Sequence, residues 1–440
     1  MTLDSHRERL AAQGVHTLLV QFADVHGAAK GKLVPLAHLE EVIRTGAGFA
    51  GPSIWGTGLG RSGLRSEYYA RGDASTLMPL PFMPGCARIV GDGHVDGAPF
   101  DACPRQVLKR ATARLAERGW TMQTGIEPEF FLLRRDGERW VPADDHDRLD
   151  KPSYDLKSLA RRTPFLHALH DALTRCGLDV LQLDHEDAHG QYEVNFRHDE
   201  ALRTADHVLL FKLAAHAIAE QHGLVYSMMP KPFANQPGSG LHFHVSLWDG
   251  ERSLFDAPDE TLSLLGRHFV AGVLHHAPAL TALAAPTVNS YKRLVVGESL
   301  SGTSWAPATI AHGPNNRTAM IRTLPGRFEW RLPDSSANPY LATAGLIAAG
   351  LDGIDRQLDP GPPCVDDLFE LSWPALRARG VGLLPQSLFE AIDALQASTV
   401  MREALGDSLH AEFVRLKRVE ATEHARHVSA WEHARYATAF

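Results

Sequence analysis

Hydrophobic and polar positions follow two rhythms along this chain. Period-two alternation or short apolar runs predict strands at Val15 to Phe22, Ala87 to Gly91, Gly125 to Leu133, Val180 to Leu183, Gln191 to Phe196, Leu241 to Trp248 and Phe328 to Leu332. Helical patterning covers Leu36 to Arg44, Leu156 to Cys176 and Thr204 to His222. A further helix opens at Asp101-Ala102-Cys103-Pro104 and runs to about Arg118, with Pro104 in its first turn. Tyr340 to Gly350 is apolar throughout. With Asn338 as its N-cap and Pro339 at its first position, it is expected to form a buried helix. From about Asp366 the chain is mostly helical and charged. Gly46 to Gly63 holds seven glycines and is expected to be a long loop, and Asp184 to Gly190 a turn-rich one. A boundary near residue 100 divides a small strand-rich domain, 1–100, from a larger domain, 101–440, in which strands alternate with long helices. The fold class is therefore α+β.

Composition narrows the function without naming it. The 440 residues are 44% hydrophobic and 22% charged, as in an ordinary soluble globular protein. The net charge of −8 gives no footprint for nucleic acid. No apolar run reaches the roughly 18 residues that a membrane span needs. Four scattered cysteines form no Cys-x-x-Cys pair and the first ten residues are polar, which points to a cytoplasmic protein.

The chemistry lies in acidic and imidazole side chains on strands. Glu127 and Glu129 are two residues apart, so they share a face, and so do His242 and His244. His185-Glu186 with Glu193, and Glu329 between Arg327 and Arg331, add two further clusters. Any one cluster could be a solvated face. Four together favour a shared site, and its carboxylates favour Mg2+ or Mn2+ over zinc. Arg293, Arg317, Arg322, Arg327 and Arg331 supply guanidinium groups suited to carboxylate or phosphate. No Walker loop and no dinucleotide fingerprint is present, so ATP would be held in another way.

Several long motifs, in order, resemble the glutamine synthetase family over nearly the whole chain. They are Gly125-Ile126-Glu127-Pro128-Glu129-Phe130, His185-Glu186 with Gly190-Gln191-Tyr192-Glu193, Gly238-Ser239-Gly240-Leu241-His242-Phe243-His244, Asn289-Ser290-Tyr291-Lys292-Arg293, Asn316-Arg317 and Arg327-Phe328-Glu329-Trp330-Arg331. Segments around Pro230-Lys231-Pro232 and Trp305-Ala306-Pro307 are similar to the bacterial type III branch, which includes glutamine synthetases and γ-glutamylmethylamide synthetases. The resemblance implies an N-terminal β-grasp domain, a catalytic domain with a curved antiparallel sheet surrounded by helices, and a homododecamer of two stacked hexameric rings with sites between subunits.

It also implies roles. Glu129, Glu186 and Glu193 would hold one metal, and Glu127, His242 and Glu329 another, so two or more Mg2+ or Mn2+ ions serve each site. His244, Ser246, Arg322 and Arg327 would bind ATP, the substrate. Gly238, Arg293 and Arg331 would bind glutamate. Ser53 and Tyr154 would bind the amine. Arg317, Glu67 and Glu298 would act in catalysis, with Glu298 one position early for the family's flap glutamate. The implied reaction joins glutamate to an amine through γ-glutamyl phosphate. One departure bears on the amine. Where the family reads Phe-Asp-Gly-Ser-Ser, this chain has Phe49-Ala50-Gly51-Pro52-Ser53 and lacks the acidic residue. A small primary amine such as methylamine is therefore expected, with ammonia as the alternative.

Overall fold

The computed structural model describes residues 2–258, 261–295 and 306–440. Its longest strand is Thr121–Asp136, which starts before the predicted Gly125 and runs past Leu133. Its aromatic and aliphatic residues suit a strand, and pairing along both edges extends it. The strand Leu241–Asp249 pairs antiparallel with residues 121–128, and Gln191–Phe196 pairs with residues 129–131. Pro128 has no N–H to donate, and it sits where the first pairing gives way to the second.

This strand lies inside an 11-stranded sheet. The main path runs His312–Pro314, Ile321–Leu324, Arg327–Trp330, Leu241–Asp249, Thr121–Asp136, Gln191–Phe196, Val180–His185. Neighbours on the path are antiparallel except the first pair. The strand at 180 continues through Asp184 to His185, where the sequence had suggested a loop from Asp184. Pairing of His185 with Tyr192 and of Asp184 with Glu193 carries it that far.

A second, 6-stranded sheet forms ahead of it, in the order Ala29–Pro35, Thr17–Ala23, Cys86–Val95, Glu67–Pro79, Ala47–Ala50, with Thr17–Ala23 and Cys86–Val95 parallel. Sequence patterning missed Ala29–Pro35 and Glu67–Pro79. The first is exposed at nearly every position and so shows no alternation. The stretch from Gly46 to Gly63 is also not wholly loop. Ala47–Ala50 forms an edge strand that pairs with Glu67–Ala70 and sets Ala50 opposite Glu67, and a 3-10 turn follows at Gly51–Ser53. A charged helix, Leu3–Ala12, capped by Thr2 and burying only Leu10, was likewise not foreseen.

The two sheets share a core. Helix Pro339–Asp355 is buried along most of its length, and the Asn338 side chain accepts from the Tyr340 and Leu341 amides as predicted. The Asn338 amide also donates to the Asp24 and Val25 carbonyls at 3.0 and 3.2 Å, tying this helix to the first sheet. Arg105 completes the tie. It bonds Asp92 of the first sheet at 2.7 Å and Asp206 of the long helix Ala201–Gln221 at 2.9 and 3.0 Å. Removing one member of such a buried ionic group costs about 3–5 kcal/mol. Among the described residues, no helix is long and apolar enough to cross a membrane.

Candidate active site

Strand register assembles the site. Residues directly opposite in an antiparallel ladder share a face and stand about 5 Å apart. Glu193 is opposite both Glu129 and Asp184, so Asp184, Glu193 and Glu129 form a row across three strands. His242 is opposite Glu127. Glu329 is opposite His244 on one side and Arg322 on the other. The reverse face carries Ile126, Phe243, Phe328 and Trp330, all buried in the core. The alternation that hides these apolar groups is what gathers the polar ones.

A cavity of about 590 Å3 opens over the polar face. All six expected metal ligands line it, as do His244, Gly238, Tyr154, Arg293, Arg317, Arg322, Arg327 and Arg331. Carboxylates and arginines both line it, and Arg322 and Arg331 stand beside Glu329. Ser246 lies further along the same strand, outside the lining, and its hydroxyl accepts from the Trp248 indole at 2.9 Å. Ser53 and Glu67 are exposed residues associated with the first sheet and do not reach this cavity within the protomer. Glu298 and Trp305 lie outside the described residues.

Three groups of ligand-type atoms converge to within 4.8 Å: Glu127/His242/Glu329, Glu129/Glu193/His242 and Asp184/Glu186/Glu193. The first is the expected second metal set. The expected set Glu129/Glu186/Glu193 is divided between the other two, with Glu193 shared. His242 stands 3.6 to 3.8 Å from Glu329, Glu127 and Glu129, too far for hydrogen bonds. Glu129 is fixed by the Gly240 amide at 2.7 Å and by Gln191 Nε2 at 2.9 Å. Glu329 accepts from Arg322 Nη1 at 2.9 Å and from Arg331. Arg293 is buried and donates to the Leu332 and Arg331 carbonyls at 3.0 and 3.3 Å. Arg317 lines the cavity and makes no hydrogen bond or ion pair among the described residues.

Protonation reflects the crowding. Burial pushes the Glu186 carboxyl well up, and Glu129, Asp184 and Asp187 push it further. Burial and the carboxylates of Glu127, Glu186 and Glu129 do the same to Glu193. Burial, with Glu129 and Glu127, raises Asp184 to about 6. Burial also works against Glu127, but His242 and His244 hold it well below the usual carboxylate range. Glu329 is likewise held low against burial, by Arg331 and His242. A row of carboxylates that cannot all ionise together is what a divalent cation relieves, and an oxygen-rich donor set with one imidazole suits such an ion.

Asp184 escaped the sequence reading. Its signal was alternation, since Gln182, Asp184 and Glu186 all line the cavity, but a loop assigned from Asp184 hid it. Gln191, Asn195 and Lys231 also line the cavity without having been singled out.

Residues 101–436 match the family model for the glutamine synthetase catalytic domain. A glutamate–methylamine ligase of Methyloversatilis universalis is 50% identical over 444 residues, covering 100% of both chains. A glutamine synthetase of Rhizobium meliloti is 39% identical over 413 residues, covering 93% of each. A solved GmaS/ADP complex superposes with a TM-score of 0.92 at 38% identity, covering 98% of this chain and 99% of that one. With its register-built cavity and these full-length likenesses, this chain belongs to the glutamine synthetase family.

Proposed function

We propose that this chain is an ATP-dependent ligase that joins a small primary amine, such as methylamine, to the γ-carboxyl group of glutamate through γ-glutamyl phosphate. The observation that carries the reading is the 50% identity, over the full length of both chains, to a glutamate–methylamine ligase. The carboxylates and arginines that together line the cavity support it.

Arg293 and Arg331, with the Gly238 backbone, receive glutamate. His244, Arg322 and Arg327, with Ser246 further along the strand, receive ATP. A γ-carboxylate oxygen attacks the terminal phosphorus, an O–P bond forms and ADP leaves. Arg317, which has no other partner among the described residues, meets the negative charge on the transferring phosphoryl group. Glu127, His242 and Glu329, and Glu129, Glu186 and Glu193, would hold Mg2+ or Mn2+, which would supply further neutralisation of phosphate charge. The amine nitrogen then attacks the acyl carbon, a C–N bond forms and phosphate leaves. The ammonium proton passes to a carboxylate near Tyr154. Asp184 lines the cavity together with Tyr154 and is the carboxylate placed for that task.

Methylamine is favoured over ammonia by the edge strand of the first sheet. Ala50 supplies no carboxylate and Pro52 no hydroxyl, and a methyl group buried on binding would gain roughly 0.8 kcal/mol. Ser53 and Glu67 lie away from their own protomer's cavity, which supports a homododecamer of two stacked hexameric rings in which they complete a neighbour's site. An active monomer in light scattering would overturn that assembly. The chain reads as an N-terminal domain of residues 1–100 and a catalytic domain of 101–440, and its four free cysteines suit the cytoplasm. The deciding assay is ATP-dependent phosphate release with glutamate and a panel of amines. Methylamine or a somewhat larger primary amine should exceed ammonia in kcat/KM. Equal or better kcat/KM with ammonia restores the strict glutamine synthetase reading.

A further inference from the structure

Beneath the row of carboxylates lies a histidine–aspartate pair closed to solvent. The side chains of His185 and Asp147 are fully buried, with His185 Nε2 2.7 Å from Asp147 Oδ2. The other ring nitrogen, Nδ1, is 2.8 Å from the Glu186 carbonyl, which can only accept, so Nδ1 donates. Asp147 Oδ2 also accepts from the Gly190 amide at 2.6 Å. The His185 carbonyl in turn accepts from the Tyr154 amide at 2.9 Å. A further bond, from His189 Nε2 to the Leu149 carbonyl at 2.9 Å, runs the same way. These bonds strap residues 147–154 to residues 185–190. Each of the two segments presents a group to the cavity, Tyr154 from one and Glu186 from the other.

Two features argue that the strap does more than fill space. Tyr154 has φ +62°, a left-handed backbone that costs a residue other than glycine about 1 kcal/mol or more and persists only where the surroundings impose it. A buried ionic pair adds little net stability compared with apolar groups of similar volume, but it fixes direction. Asp147 does not line the cavity, so it can act only through what it holds.

We propose that Asp147 is a positioning residue for the amine half of the reaction, fixing Tyr154 and Glu186 relative to one another through His185. The inference rests on the ligase reading above. The side chains assigned to ATP sit on other strands, Leu241–Asp249, Ile321–Leu324 and Arg327–Trp330; Glu186 also belongs to a metal set, so the two halves are compared with the metal sites filled.

The test is steady-state kinetics of the full-length protein at saturating Mg2+, comparing wild type with Asp147→Asn. The KM for methylamine should rise about tenfold or more while the KM for ATP stays within about twofold, in line with the size of effects from residues that orient a ligand-bearing group. A purely structural role would lower kcat and the melting temperature without changing the ratio of the two KM values, and that result overturns the inference. Should Asp147→Asn fail to fold, His185→Gln cuts the same link and must show the same split, and its absence there is equally fatal. A wild-type protein without amine-dependent phosphate release refutes the ligase reading itself. A wild type that has it, with an unchanged KM ratio in the variant, refutes the positioning role alone.

Discussion

Asp184→Asn should make the metal-free protein more stable while lowering its activity with amines. Burial, together with Glu129 and Glu127, raises the Asp184 carboxyl from 3.8 to about 6. A carboxyl raised on folding favours its neutral form in the folded protein. Its stabilising contribution is complete below about pH 4 and is lost as the pH climbs through about 6. Above that, the folded protein carries a charge that the unfolded chain bears more easily. The difference is worth at most about 3 kcal/mol, at about 1.4 kcal/mol per tenfold change in proton affinity. Asp184 is only partly buried, and solvent screening reduces the figure to roughly 1–2 kcal/mol. Asparagine keeps the shape without the charge and recovers that amount. In chelator at about pH 7.5 the variant should melt a few degrees above wild type, with the gap shrinking towards about pH 5. Saturating Mg2+ should close the gap or reverse it, because a cation that binds only the folded state stabilises wild type by mass action. An Asp184→Asn protein that melts at or below wild type in chelator at about pH 7.5 refutes the claim that these carboxylates strain the empty site.

Two other substitutions probe the ligand cluster and the edge strand of the first sheet. A Cβ at Gly240 would lie 2.6 Å from His242 Nε2, 2.9 Å from Glu129 Oε1 and 3.1 Å from Arg293 Nη2. Gly240→Ala should therefore cut phosphate release about a hundredfold or more, about 2.7 kcal/mol, with an unchanged circular dichroism spectrum, and turnover near wild type would contradict the convergence of groups there. Ala50→Asp should move the kcat/KM ratio from methylamine towards ammonia at a cost of some tenths of a kcal/mol in stability, because it sets a carboxylate directly opposite Glu67. A ratio that does not move clears this strand of any part in amine selection.

Much of the acidic and imidazole cluster was legible in the sequence because it obeys alternation. Glu127, Glu129, His242 and His244 declare their shared faces by spacing alone, and the structure places them on one side of paired strands. What could not be read was whatever depends on a partner distant in sequence. The strand Ala29–Pro35 exists because Thr17–Ala23 offers it an edge, not because its own residues alternate. Asp184 was lost to a misplaced strand end. Asp147 carries no local mark at all, since its partner His185 is 38 residues away and only folding brings the two together. The left-handed Tyr154 is likewise a product of its surroundings.

The ladder through Thr121–Asp136 also governs how this protein can change over evolutionary time. Inserting or deleting a single residue in a strand swaps its inward and outward side chains. In Leu241–Asp249 or Gln191–Phe196, such a change would turn His242 or Glu193 into the core and bring an apolar neighbour into the cavity. These strands can therefore accept substitution but not a change of length. Ala47–Ala50 obeys the same rule for its own side chains, since Ala47 and Phe49 face the core, but a change there is confined to its own sheet. It lies at the edge of a separate sheet, pairs on one side only and runs straight into a turn. Residues there can be exchanged, added or removed without shifting any carboxylate of the cavity. The edge strand can thus vary while the carboxylates of the large sheet stay fixed by count.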